Sequence, residues 1–76
     1  MPKRIFIGSL SVNTTDSTIQ STFSPYGSIV NAAVDRNLSG GSLGTARVEY
    51  TTEQAGADAI AAKNGTVLDG STITVS

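Results

Sequence analysis

Two short segments, residues 4–10 and 44–50, have the patterns of β-strands and constrain the fold of this chain more than any other feature. The first is an apolar run rich in Ile and Phe, a composition typical of strands. The second alternates with a period of two, which places its apolar side chains on one face of a sheet and its polar ones on the other. Its apolar members are Ala46, Val48 and Tyr50. The sequence therefore predicts a sheet with one buried face and one polar face.

Two helical segments lie between the predicted strands. The first is expected to begin at Asp16 with Thr15 as its N-cap, and to place Ile19 and Phe23 on one face. The second is expected to follow an N-cap at Thr52 and to stop at an Asn-Gly dipeptide. Its predicted inner side consists of Gly56, Ala57, Ala59 and Ile60.

Two further strands complete the pattern. Residues 28–36 form the second predicted strand, with Ile29, Ala32 and Val34 pointing inward, and residues 72–75 form the last. The resulting βαββαβ order predicts an α+β fold of the ferredoxin-like type. In this fold two helices cover one face of a four-stranded antiparallel sheet. We expect residues 1–76 to form a single, monomeric domain.

Composition excludes several classes of function. The chain has no Cys and no His, which removes disulfides, thiolate or imidazole metal sites and Ser-His or Cys-His catalysis. The acidic residues are spread over several predicted elements, with no pair placed for general acid–base catalysis. No apolar run approaches the roughly 18 residues of a membrane span. We therefore expect no enzymatic activity, no cofactor, no metal and no membrane partner.

Charge is the unusual property of this chain. Five basic and six acidic residues give a net charge of −1 and a pI of about 4.9. A nucleic-acid-binding protein usually has a basic stripe, because counterion release from phosphates supplies much of its affinity. The basic residues here are Lys3, Arg4, Arg36, Arg47 and Lys63. Any binding to nucleic acid is expected to be weak.

The whole chain resembles an RNA recognition motif (RRM) domain. Residues 5–10, Ile-Phe-Ile-Gly-Ser-Leu, match the short signature of that family, and residues 23–29 resemble its passage from helix to strand. Within the family, residues 42–46 and 68–70 are most similar to the Aly/REF mRNA-export adaptors. The resemblance implies an RRM fold and RNA binding on the outer sheet face. For a natural member it also implies a location in the cytoplasm or nucleus.

The third strand departs from the family's longer signature. That signature has a basic residue at its first position and outward aromatic residues at its third and fifth positions. Leu43, Thr45 and Arg47 occupy these positions here. Phe6 is the one outward ring that remains for stacking on a base.

The candidate RNA-binding residues share the predicted open face of the sheet. They are Phe6, Arg4, Thr45, Arg47, Asn31, Thr72 and Thr74. Phe6 is expected to stack on a base, and the arginines are expected to meet phosphates or a second base. One stacking contact contributes roughly 1–3 kcal/mol, so we expect weak, low-specificity binding of single-stranded RNA. In a purely structural interpretation, Phe6 packs across strands and Arg47 pairs with Glu49 or Asp35.

Two other interpretations remain open at this point. Some RRM domains bind protein partners on their helical face through an acidic first helix and an Arg-x-Phe loop. Here residues 66–68 lack that loop and helix one has only Asp16 as an acid, although another protein interface is compatible with the sequence. The low charge and missing aromatic residues also suit a designed sequence that encodes the fold without a biological ligand. Fold alone does not decide between these functions.

Overall fold

The computed structural model describes residues 1–76, and its elements follow the predicted order with one additional hairpin. The helices are α1, Asp16–Phe23, and α2, Glu53–Lys63. The strands are β1 Lys3–Gly8, β2 Ile29–Arg36, β3 Ser42–Tyr50, β4 Val67–Leu68, β5 Ser71–Thr72 and β6 Thr74–Val75. A short 3-10 turn at Ser24–Tyr26 follows α1.

Both helices begin at the predicted caps. The hydroxyl oxygen of Thr15 accepts a hydrogen bond of 3.3 Å from the backbone N–H of Thr18, and Thr52 accepts one of 3.2 Å from Ala55. These bonds satisfy N–H groups that have no partner inside the helix. Residues with modest helix propensity therefore start helices at defined positions.

Four strands form one antiparallel sheet in the order β2-β3-β1-β6. The buried core joins this sheet to both helices, since Ile19 of α1 and Ala59 of α2 belong to the same apolar cluster as Ile5 and Val48. The opposite face of the sheet carries no helix. This architecture confirms the predicted ferredoxin-like βαββαβ fold.

The predicted strand 72–75 is divided into two pieces. The backbone of Ile73 bonds to Gly65 and Thr66, at 2.9 Å in each direction, instead of continuing a ladder along β1. As a result β5 pairs with β4 in a small hairpin, and only β6 joins the main sheet. The prediction of one continuous strand was wrong, because Ser71 and Thr72 pair with residues 67 and 68 and not with β1.

The core confirms most of the predicted inward residues and corrects others. Ile29 and Ala32 are half-buried, whereas Val34 is buried. On α2 the prediction for Ala57 was wrong, since Ala57 is exposed and Ala55 takes the inward position beside Gly56. The buried side of helix α2 therefore consists of residues 55, 56 and 59.

Both tyrosines contribute to the packing, and Tyr50 points inward as the alternation predicted. Tyr50 is completely buried, and its hydroxyl donates a hydrogen bond of 2.5 Å to the backbone carbonyl of Phe23. Tyr26 is half-buried against the same cluster. Burial and, to a smaller extent, the neighbouring Tyr26 together raise the pKa of Tyr50 to about 12.

Candidate functional site

The outer face of the sheet is arranged in rows that cross the strands. Phe6 of β1 lies opposite Arg47 of β3, and Arg47 lies opposite Ala33 of β2. On the other side, Phe6 exchanges two backbone hydrogen bonds of 2.9 Å with Ser76. Phe6 is 45% exposed and lies on an interior strand of the sheet. An aromatic ring at such a position can stack on a planar ligand.

A second row lies beside the first. Arg4 pairs with Glu49, and Glu49 pairs with Asn31 across β3. Together with Arg47, these three side chains line a shallow depression of about 200 Å³ that has no apolar lining residue. The register therefore brings together four polar residues from three strands next to the Phe6 ring.

Two ion pairs neutralise the arginines of this face. The Nη2 of Arg4 lies 3.6 Å from Oε1 of Glu49, and the Nε of Arg47 lies 3.4 Å from Oδ1 of Asp35. Of the two acidic partners predicted for Arg47, the structure therefore has Asp35 and not Glu49. Both arginines are largely exposed, and ion pairs of this kind contribute about 0–1 kcal/mol. A ligand can therefore break these ion pairs at little cost in free energy.

The threonines of the candidate site have different environments. The hydroxyl of Thr45 donates a hydrogen bond of 2.9 Å to Oδ2 of Asp35, so it holds the carboxylate that also pairs with Arg47. Thr74 lies on β6 opposite Gly8, on the outer face. Thr72 lies in the hairpin with β4, outside the four-stranded sheet. The structure thus brings six of the predicted residues onto one sheet and leaves Thr72 beside it.

Gly8 contributes to the site in a way that the sequence alone did not predict. A Cβ atom at Gly8 would lie 2.8 Å from Oγ1 of Thr74 and 3.7 Å from Cε1 of Phe6. The missing side chain leaves the space that the Thr74 hydroxyl occupies, and the Phe6 ring lies at ordinary van der Waals distance from the same position. A glycine inside an apolar strand is the sequence signal for such a close approach.

Other kinds of site find no support in the geometry. No group of three His, Cys, Asp or Glu side chains is close enough together to hold a metal ion. Neither helix has the length and apolar character that a bilayer span requires.

Several known proteins are similar to this chain in sequence. The sequence profile of the RNA recognition motif family matches residues 5–74. Over 75 residues the chain is 43% identical to organelle RRM domain-containing protein 1, chloroplastic, of Zea mays, covering 96% of this chain and 19% of that protein. Over 74 residues it is 42% identical to glycine-rich RNA-binding protein 8 of Arabidopsis thaliana, covering 95% and 43%.

Among solved structures, the Sex-lethal RNA recognition domains 1 and 2 of Drosophila melanogaster are similar. The TM-score is 0.92 at 27% identity, and the match covers 96% of this chain and 47% of that chain. This chain therefore spans about a fifth of the maize protein and less than half of the other two.

These relatives decide between several of the predictions. Domains of this family are non-enzymatic, so this chain is not an enzyme. The relatives are organelle RRM and glycine-rich RNA-binding proteins, which do not support the narrower resemblance to the Aly/REF adaptors. They also give no support to the interpretation as a designed sequence.

Proposed function

Because this chain belongs to the RNA recognition motif family, we propose that it binds single-stranded RNA weakly across the outer face of its sheet. One observation carries the proposal: the half-exposed ring of Phe6 lies beside Arg47 on the uncovered face. The similarity to a glycine-rich RNA-binding protein supports the same ligand class. The proposed site consists of Arg4, Phe6, Asn31, Thr45, Arg47 and Thr74.

Phe6 is the centre of the proposed interface. Single-stranded RNA presents unstacked bases, and an aromatic side chain can stack on any of them. By alanine substitution such a contact is worth about 1–3 kcal/mol per base. A stacking ring therefore supplies affinity without selecting a sequence.

Arg4 and Arg47 are the cations available on this face, and each already has an acidic partner. Binding RNA requires these pairs to open while Asp35 and Glu49 repel the phosphates. A micromolar complex corresponds to about 8 kcal/mol. One ring and two neutralised arginines supply less than this, so we expect a dissociation constant above the micromolar range.

The proposal is tested by titrating the 15N-labelled domain with a mixed pool of short single-stranded RNAs at low salt. We expect amide shifts confined to residues 4–8, 44–49 and 74–76, reduced by added salt. The Phe6→Ala variant should lose them. Val12→Ala is the control, because Val12 is an exposed apolar residue in the loop between β1 and α1, off the sheet.

Two outcomes would contradict the proposal. One is the absence of shifts at millimolar RNA. The other is a set of shifts on α1 and α2 that Phe6→Ala leaves unchanged while the variant keeps a native amide spectrum. The second result would place any interaction on the helical face.

A further inference from the structure

The depression beside Phe6 has a composition that weak phosphate binding does not explain. Its lining combines two guanidinium groups, one amide and one carboxylate, contributed by Arg4, Arg47, Asn31 and Glu49. A surface that binds only phosphate gains nothing from a carboxylate, because the two negative charges repel each other. Glu49 has Arg4 as its ion-pair partner, but Arg4 is 68% exposed and displaceable, so the carboxylate can also accept hydrogen bonds from a ligand.

Glu49 is also the most buried charged group of the depression. Its side chain is 25% exposed, against 68% for Arg4 and 61% for Arg47. The backbone of Glu49 is held on an interior strand, since it pairs with Arg4 on one side and with Asn31 on the other. The two guanidinium groups are thus accessible to solvent, whereas the carboxylate is partly buried in the wall of the depression.

We propose that this depression binds a guanine base of single-stranded RNA, with Glu49 as the residue that selects it. The inference rests on the proposed RNA binding and adds one selective position to a face that otherwise binds with little preference. Guanine has two adjacent donors, N1–H and N2–H, that match the two oxygens of a carboxylate. Its O6 and N7 atoms accept hydrogen bonds from an arginine, a bidentate pairing that is common in base recognition.

The other bases fit this set of groups less well. Adenine and cytosine each present a single amino group to a carboxylate, and uracil presents a single N–H. None of the three offers two neighbouring donors on one edge. The carboxylate of Glu49 therefore forms its bidentate contact with guanine alone, and the arginines can serve as donors to the remaining edge.

The position of the depression relates this base to the one stacked on Phe6. Arg4 and Phe6 are two residues apart on β1, and Arg47 and Glu49 are two residues apart on β3, so the two rows are neighbours on the same face. A nucleotide next to the stacked one can reach the depression. Ala33, opposite Arg47, has a small side chain that leaves the guanidinium accessible from that side.

The inference is tested with uridine oligomers of about six nucleotides. Each oligomer carries one central G, A, C or U, and binding is measured by chemical shift at low salt. The G-containing oligomer should bind at least about fivefold more tightly than the others, the lower end expected for a bidentate base contact. In Glu49→Gln this preference should disappear, because an amide offers one acceptor in place of two. Binding of the all-uridine oligomer should become stronger at the same time, because a charge that repels phosphate is removed.

Glu53→Gln is the matched control, since it makes the same change at an exposed residue of α2. It should keep the preference for guanine. Equal affinity for all oligomers, or a preference that survives in Glu49→Gln, would overturn the inference while the proposed RNA binding stands. Failure of every oligomer to bind would overturn both.

Discussion

The hydroxyl of Thr14 donates a hydrogen bond of 2.7 Å to a carboxylate oxygen of Asp69, which lies 55 positions further along the chain. Thr14 is 1% exposed in the loop between β1 and α1. Asp69 and Gly70 form the turn of the β4–β5 hairpin, with φ values of +50° and +82°. Positive φ at both central residues is the geometry of a tight hairpin turn. The bond therefore ties the hairpin to the loop between β1 and α1.

Replacing Thr14 with Val should lower the free energy of unfolding by about 1.5–3 kcal/mol, the value for a hydrogen bond to a charged group. The shape of the side chain is preserved, so little packing is lost. Urea denaturation of the variant and the parent measures this difference.

Asp69→Asn separates the charge from the geometry of the same contact. Asn tolerates the left-handed backbone of this turn and keeps an acceptor oxygen, so we expect a smaller loss than in Thr14→Val. Equal stability of Thr14→Val and the parent would mean that the bond contributes nothing.

Tyr50 makes stability sensitive to alkaline pH. Its pKa rises from 10.0 to about 12 on folding, so between these values the folded chain holds a proton that the unfolded chain has lost. The stabilisation that the protonated Tyr50 contributes to the folded state is complete below pH 10 and is lost as the pH rises to 12. The free energy of unfolding should fall by about 1.4 kcal/mol per pH unit within this window.

Denaturation curves from pH 9 to pH 12 check this, and Tyr50→Phe removes the group concerned. That variant should be less stable at neutral pH by about 0.5–1.5 kcal/mol, because it loses the bond to the Phe23 carbonyl. Its alkaline slope should be shallower. Tyr26→Phe should retain most of the slope; a parent slope equal to that of Tyr50→Phe would refute the assignment.

Asp35 is expected to oppose RNA binding through both its charge and its pairing with Arg47. Asp35→Asn keeps an acceptor oxygen for Thr45 but removes the ion pair and one negative charge. RNA affinity at low salt should rise by about twofold to fivefold, and the gain should shrink as salt is added. Asp58→Asn on α2 makes the same charge change away from the sheet, and an equal gain there would argue against a local effect.

Gly27 allows α2 to approach the turn that follows α1. A Cβ atom at this position would lie 2.5 Å from the Cβ of Ala55, closer than side chains pack. Gly27→Ala should therefore lower the free energy of unfolding by about 1–3 kcal/mol, as overpacking does. Thermal or urea denaturation measures the loss.

The matched variant combines Gly27→Ala with Ala55→Gly, which reopens the space. Ala55→Gly alone should lose about 1 kcal/mol of helix propensity. The double variant should be more stable than the sum of the two single losses predicts. Additive losses would show that the two positions are not in contact.

Local features of the fold were predictable because they depend on residues close together in the chain. The caps at Thr15 and Thr52 bond to N–H groups three residues away, and both formed as expected. Alternation in residues 44–50 depends only on the period of a strand, and it correctly placed Tyr50 inside and Arg47 outside. The division of the last strand at Ile73 was not predictable in this way, since it depends on hydrogen bonds to residues 65 and 66.

The candidate site depends both on local strand patterns and on the pairing of strands that are distant in the sequence. Strand period assigned Arg47 and Glu49 to the open face, because side chains alternate whatever their partners are, and the resemblance to the RNA recognition motif assigned Phe6 to the same face. Only the pairing register between β1, β3 and β2 decided that Arg47 meets Asp35, that Arg4 and Asn31 flank Glu49, and that a polar depression opens between them. A shift of one residue would have turned each strand over, and that choice is made by packing across the whole sheet.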